Sequence, residues 1–288
     1  MPDLSDRLAV LPQYLLPKTL MTEFAGWCAA SRARAWTSRV IPWFVARYGV
    51  NMAEAANPDV ASYACFNDFF TRALREGVRP LAVADLICPV DGAISQCGAI
   101  EGDRILQAKG HSYSVRALVG GDARLAAHFE QGEFATVYLS PKDYHRIHMP
   151  CDGRLVRMIH VPGDLFSVNP TTARGVPGLF ARNERVVCVF ESPVHGTFVL
   201  ALVGATIVGS MATVWHGLVN PPRPGGVREW LYDDRIVTLR RGDEMGRFLL
   251  GSTVLLLFAK GAIRFRENWV PERAVRMGEA MADGSASP

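Results

Sequence analysis

From Gly196 to Trp215 the chain reads "GTFVLALVGATIVGSMATVW", 20 residues without a formal charge. As a helix that stretch is long enough to cross a bilayer, so it forces a choice between a membrane span and a buried core. Its texture favours the core. Gly204 and Gly209 interrupt it, and its Val, Thr and Ile residues prefer extended backbone. It therefore predicts two consecutive buried strands meeting around Gly204. The totals agree: 49% apolar and 20% charged residues over 288 positions suit one substantial folded core and argue against a disordered chain.

Around this run, short β-like segments alternate with Gly, Pro and Asp turns. Examples are "GAISQCGAI", "FATVYLS", "RLVRMIHV", "RVVCVFES" and the long stretch from Asp234 to Ala259. The beginning of the chain differs. Leu20, Phe24, Trp27 and Cys28, then Trp36, Val40, Trp43 and Phe44, recur at helical spacing. Arg32, Arg34, Arg39 and Arg47 accompany them, with Glu23 as the balancing acid. Helices with aromatic residues on one side and arginines on the other lie in a membrane interface or pack on the domain that follows. The spacing alone leaves both open. "CFNDFFTRALREGVRP" (Cys65 to Pro80) predicts one amphipathic helix, and "EAMADGSASP" a frayed polar tail. The expected fold class is α+β: an N-terminal helical, membrane-associating region at 1–62, a mainly antiparallel β domain at 63–272, and a tail at 273–288.

Several functions are set aside by what the chain carries. A net charge of +3 does not advertise nucleic-acid binding, and no such module is recognisable. The six cysteines are scattered without a C-x-x-C pair, which suits buried thiols better than a zinc site or a disulfide framework. The N-terminus has early acids and no secretory pattern. No G-x-S-x-G elbow, Walker A sequence or H-E-x-x-H occurs. No metal is assigned, although a histidine pair with a remote carboxylate is a conceivable donor set.

Chemistry concentrates in three places. "FLLGSTVLLLF" (Phe248 to Phe258) puts a glycine and a hydroxyl pair, Gly251, Ser252 and Thr253, inside an apolar run. Either they mark a bulge in a core strand or they react. "SPKDYHRIHMPCDG" carries His145 and His148, and "CPVDGAIS" carries Asp91 at a turn leaving a strand. Taken singly, each has an ordinary structural reading: a hydrogen-bonded histidine, a turn dipeptide.

Together, "PVDGAISQCG", "ILQAKGHSYS", "TVYLSPKDYHRIHMPCDG", "VPGDLFSVNP", "LFARNERVVC", "LVGATIVGS" and "EMGRFLLGSTV", in that order from about Pro89 to Phe258, resemble the bacterial, membrane-associated phosphatidylserine decarboxylases. Residues before about 60 match only in general character. The resemblance implies a proenzyme that cuts itself between Gly251 and Ser252, giving pieces 1–251 and 252–288. Ser252 Oγ attacks the Gly251 carbonyl, and glycine tolerates the bent backbone this needs. His148 acts as base, oriented by Asp91. The ester eliminates to dehydroalanine, which hydrolyses to a pyruvoyl group and ammonia. That covalent group, the only cofactor implied, forms a Schiff base with phosphatidylserine and releases CO2 to give phosphatidylethanolamine. His145 is the candidate proton donor, because an ordinary histidine titrates near 6.5. Lys109 and His111 meet the substrate's carboxylate or phosphate, or else occupy a solvated loop. The implied partners are the phospholipid membrane, the short piece and a second copy in a homodimer, at the cytoplasmic face of the cell membrane. Two rivals remain: a pyruvoyl-dependent decarboxylase of a soluble amino acid, and a non-enzymatic β-rich binding domain.

Overall fold

The computed structural model describes residues 4–108, 110–207, 210–221, 223, 225–233, 236–249 and 253–285. Its main element is a nine-stranded antiparallel sheet. The strands run in the order Arg228–Leu231, Gly153–Val161, Arg185–Ser192, Gly196–Val203, Thr253–Phe258, Glu133–Tyr138, Gly92–Ala99 and Ala274–Val275, with Thr238–Leu239 also paired to Gly153–Val161. Neither face of its centre meets solvent. Along Thr253–Phe258, Val254, Leu256 and Phe258 enter one core while Leu255 and Leu257 enter a second. The same split holds for Phe198, Leu200 and Leu202 against Val199, Ala201 and Val203. Alternate side chains of a strand point to opposite faces, so a strand covered on both sides reads as an unbroken apolar run. That is why the uncharged stretch ending at Trp215 forms core: Gly196–Val203 is its first strand and Met211–Thr213 its second. No helix among the described residues is long and apolar enough to cross a membrane.

A four-stranded sheet, Gly217–Asn220, Met211–Thr213, Glu244–Phe248 and Arg146–His148, packs against the first core. Phe248 and Thr253 thus belong to different sheets. "FLLGSTVLLLF" is not one strand, bulged or otherwise, but a crossing between two. Gly251 and Ser252 lie outside the described residues.

The first fifty residues form three helices, α1 (Leu4–Leu15), α2 (Lys18–Ala30) and α3 (Arg34–Tyr48). Each is tied to the β domain by a few residues. Val10 is buried in the second core, and Asp6 accepts from Arg174 Nε at 2.8 Å. Ala29 and Ile41 are buried with Phe66, Phe69 and Phe70, and the Phe44 ring lies 5.0 Å from that of Phe66. The outward faces keep large apolar groups in solvent: Leu15 is 89% exposed, Phe24 67% and Trp27 71%. Of the two alternatives left open by the spacing, packing on the following domain is made by the inward faces.

Two expectations fail. The helix expected from Cys65 to Pro80 is only Phe66–Phe70, α4. It ends at Thr71, beyond which Leu74 is drawn into an antiparallel bridge with Ala55 as extended chain. The polar "tail" is built into the fold as well. Ala274–Val275 pairs with Gly92–Ala99, and Ala280–Gly284 is the middle strand of a three-stranded sheet between Leu86–Ile87 and Ile263–Phe265. Its small residues reflect close strand packing, with Met281 and Ala282 fully buried.

The central strand is the most sensitive position of this architecture. Leu256→Ala should lower unfolding stability in urea by about 2–5 kcal/mol, the cost of a buried leucine truncation. A loss below about 1 kcal/mol would contradict the two-faced burial.

Candidate active site

Asp91 is the residue before strand Gly92–Ala99, and it is 6% exposed. The following glycine is required by contact: a Cβ at Gly92 would stand 2.3 Å from the Tyr138 carbonyl oxygen. The Asp91 carboxylate is fully engaged. Arg79 Nε donates to both oxygens at 3.0 and 3.2 Å, and the Met277 amide donates to Oδ1 at 2.9 Å. Arg79 in turn holds Glu54 at 2.6 Å. Two carboxylates on one buried guanidinium raise its already high pKa further, against the cost of burial.

His148 ends strand Arg146–His148, which pairs with Glu244–Phe248. Gly246 lets Met211–Thr213 lie along the other edge of Glu244–Phe248, since a Cβ there would meet the Ala212 carbonyl oxygen at 2.5 Å. His148 Nδ1 lies 2.7 Å from the Gly242 carbonyl oxygen and Nε2 3.0 Å from the Tyr144 hydroxyl. A carbonyl only accepts, so Nδ1 carries the hydrogen. Burial pushes the His148 pKa below the ordinary value, against the pull of the Gly242 carbonyl and the nearby Glu244 charge. The orienting hydrogen bond expected from Asp91 is thus made by a backbone carbonyl. Asp91 acts on His148 only through its charge, which favours the protonated ring.

His145 is fully buried, with the Phe70 ring 4.0 Å from its own. Its Nδ1 donates to the Asp143 carbonyl at 2.8 Å, and its Nε2 has no partner among the described residues. Burial, aided by the positive charge of Arg72, lowers its pKa to about 3. A donor titrating near 6.5 is therefore not what the fold presents. His145 is a neutral ring with an unused acceptor at Nε2, and it gives a proton only after taking one.

The chain on either side of the crossing is pinned. Phe248 donates to the His145 carbonyl at 3.0 Å, Leu249 to the Ser210 carbonyl at 3.0 Å, and Thr253 stands in register between Tyr138 and Val203. The Thr253 hydroxyl is buried without a partner among the described residues. The unpartnered Thr253 hydroxyl is chemically suited to a carbonyl-bearing neighbour, since it is a buried donor in need of an acceptor. Two pockets flank the region. One of about 350 Å³ is polar and lined by Asp91, Asp143, Tyr144, Arg72 and Arg79. The other, about 380 Å³ and mainly apolar, lies between Trp27 of α2 and Ile207, Leu218 and Leu249.

Of the expected residues, His145 holds Phe248 through its carbonyl, His148 pairs with Glu244 at the other end of that strand, and the Asp91 charge reaches His148, whereas Lys109, Gly251 and Ser252 lie outside the described residues. His111 bonds the Arg174 carbonyl at 3.0 Å. Sequence reasoning missed Arg79, Glu54 and Tyr144. The first two look like ordinary surface charges, and Tyr144 like a core aromatic.

These features define an α+β protein with two buried histidines, of which His145 holds, through its carbonyl, the chain just before it passes from one sheet to the other. A family model described as phosphatidylserine decarboxylase matches residues 66–283, and one described as PSD matches residues 8–49. Proteins named phosphatidylserine decarboxylase proenzyme are similar over nearly the whole length. The one from Polaromonas naphthalenivorans (strain CJ2) is 73% identical over 287 residues, covering 98% of this chain and 99% of its own. The one from Azoarcus sp. (strain BH72) is 69% identical over 280 residues, covering 97% of each. The chain belongs to the phosphatidylserine decarboxylase family.

The buried ring of His145 has a consequence for stability. Its pKa falls from 6.5 in the unfolded chain to about 3 when folded. Below pH 6.5 the unfolded chain takes up a proton that the folded chain refuses, so stability drops as pH falls towards 3. Between pH 7 and 5 this single group accounts for about 2 kcal/mol. Urea unfolding of His145→Asn at the two pH values should show a correspondingly smaller drop than wild type. An unchanged drop would mean that folded His145 is charged.

Proposed function

We propose that the chain is made as a proenzyme, cuts itself between Gly251 and Ser252, and decarboxylates phosphatidylserine to phosphatidylethanolamine. The observation that carries the site assignment is the crossing from Leu249 to Thr253, pinned at both ends beside the unpartnered His145 Nε2 and Thr253 Oγ1. The names of the near full-length relatives support the substrate and the proenzyme.

In this reading Ser252 Oγ attacks the Gly251 carbonyl, and His148 Nε2 is the base that its proton reaches. Protonation of a buried imidazole needs a compensating charge, which Asp91 provides at a distance. After the cut the short piece 252–288 stays in place. Its strand Thr253–Phe258 is hydrogen-bonded on both sides by strands of the long piece, and Ala280–Gly284 pairs with Leu86–Ile87. The pyruvoyl group formed at 252 supplies the electron sink for the pair of electrons left when CO2 departs. The chain's own side chains do the rest. The Thr253 hydroxyl is the buried donor available to an acceptor at 252. An anionic substrate beside His145 favours its protonated form, so Nε2 takes a proton and returns it to the decarboxylated carbon.

The division into 1–62 and 63–272, with the last segment completing the β domain, follows function. Leu15, Leu20, Phe24, Trp27 and Trp43 face outward from α1–α3, with Arg32, Arg39 and Arg47 also exposed. Such a surface suits a peripheral seat on an anionic bilayer, where each basic residue contributes on the order of 1 kcal/mol. The apolar pocket beside Trp27 then opens between that surface and Leu249. The cytoplasmic face of the cell membrane and a homodimer complete the proposal.

Vesicles holding phosphatidylserine labelled in its carboxyl carbon test this reading. Wild type should release labelled CO2 and Ser252→Ala none. The pair Trp27→Ser and Trp43→Ser should weaken pelleting with anionic vesicles while leaving turnover of detergent-dispersed substrate largely intact. Release by Ser252→Ala, or wild-type activity confined to free serine, would overturn the assignment.

A further inference from the structure

His148 is held by one short stretch of chain, the turn from Arg240 to Glu244. The turn is closed on itself. The Asp243 carboxylate accepts from the Arg240 amide at 2.7 Å, and the Asp243 amide donates to the Arg240 carbonyl at 2.9 Å. It is also fastened to the residue after His148: the Gly242 amide donates to the Met149 carbonyl and the Met149 amide to the Asp243 carbonyl, both at 2.9 Å. Gly242 sits at φ +87°, a conformation glycine adopts without strain, and its carbonyl takes the Nδ1 hydrogen of His148 at 2.7 Å. Two residues on, Glu244 stands directly opposite His148 on the paired strand. Side chains placed opposite each other on an antiparallel pair are close enough to interact. Glu244 is secured in turn. Arg146 Nη1 donates to its Oε2 at 2.8 Å, Arg247 Nη2 lies 2.7 Å from its Oε1, and its side chain is 18% exposed.

The charged and titratable groups about the imidazole are few. The Tyr144 hydroxyl, 3.0 Å from Nε2, stays neutral because burial raises its pKa. Arg146, on the same strand as His148, opposes a positive ring. Glu244 and Asp91 favour one, Glu244 more strongly, while burial opposes it most. Arg247 reaches this group through Glu244, and Arg79 through Asp91. We infer that Glu244 is the main counter-charge of the protonated His148 ring, with the turn Arg240–Glu244 as its positioning frame. The inference rests on the proposed role of His148 as the base of self-cleavage, and it gives Glu244 the larger part of a task that Asp91 shares. Glu244 acts through His148, as a positioning residue. When the imidazole takes up a proton, a second positive charge arises beside Arg146 in a buried site. A carboxylate already fixed across the strand pair offsets that charge without having to move.

Two measurements test this. In the first, full chain from a brief cell-free translation is diluted into buffers of graded pH, and the 252–288 piece is followed by mass. A base works in its neutral form, so cleavage falls on the acid side as His148 becomes protonated. Glu244→Gln removes a charge that favours the protonated ring, so this acid limb should move to lower pH and the plateau rate should drop roughly tenfold or more. Glu244→Asp should restore the limb. Slower cleavage with an unmoved limb would mean a structural role and would overturn the inference.

The second measurement reads His148 directly, by NMR of the uncut Ser252→Ala chain, with the signal assigned by its loss on His148→Gln. Added to that chain, Glu244→Gln should lower the pH at which His148 titrates, and by more than Asp91→Asn does. Arg247→Met leaves the Glu244 charge less screened and should shift the titration upwards, which damage to the fold common to both variants would not do. An unmoved or raised titration in Glu244→Gln, or a larger shift in Asp91→Asn, would overturn the inference. A wild-type cleavage rate in His148→Gln would sink the assignment of the base instead, and the titration would still decide on Glu244.

Discussion

The six side chains from Thr253 to Phe258 are all buried, divided between two cores, and their backbone is bonded on both sides. At about 1.5–3 kcal/mol for each large apolar side chain, this strand is costly to move. It fixes Thr253 from one side, while Phe248 and Leu249 are fixed by carbonyls of His145 and Ser210 from the other. The few residues between must cover the step from one sheet to the next. Self-cleavage at that point would cut a connection without releasing what it connects, since the packing that holds the short piece does not depend on the peptide bond.

The same burial governs the electrostatics. Both histidines have depressed pKa values because their rings are taken from water, and each spends Nδ1–H on a carbonyl. The fold thereby settles the tautomer and leaves Nε2 of each neutral ring without a hydrogen. Asp91 has a different environment. It is paired with Arg79 and bonded to the Met277 amide, and it influences His148 through space. Removing one member of such a buried pair leaves an uncompensated charge, the usual reason for a loss of several kcal/mol. Because Arg79 also grips Glu54, just beyond α3, the helical region and the site share one ion network.

Much of the β domain is legible because core strands carry period-2 burial on two faces, and the strands beginning at Gly92, Gly153, Arg185 and Gly196 fall where the apolar runs place them. Asp91, His145 and His148 stood out as candidates through family motifs, not through spacing. What escaped has physical causes. The segment from Cys65 to Pro80 has helical periodicity, but a long-range bridge between Leu74 and Ala55 holds its second half extended. The C-terminal segment looks like a tail because small residues that pack between strands resemble a solvated end. The partner of His148 Nδ1 is the carbonyl of Gly242, 94 residues away, and no side-chain pattern announces a backbone acceptor.

The central claim is a break between residues 251 and 252 in a fold that keeps both pieces. An intact mass spectrum of freshly purified protein, under native spray and then after denaturation, tests it most directly. The account predicts one assembly in the native spectrum that resolves on denaturation into 1–251 and a short piece blocked by a pyruvoyl group at position 252. A single uncut chain in the denatured spectrum would contradict it.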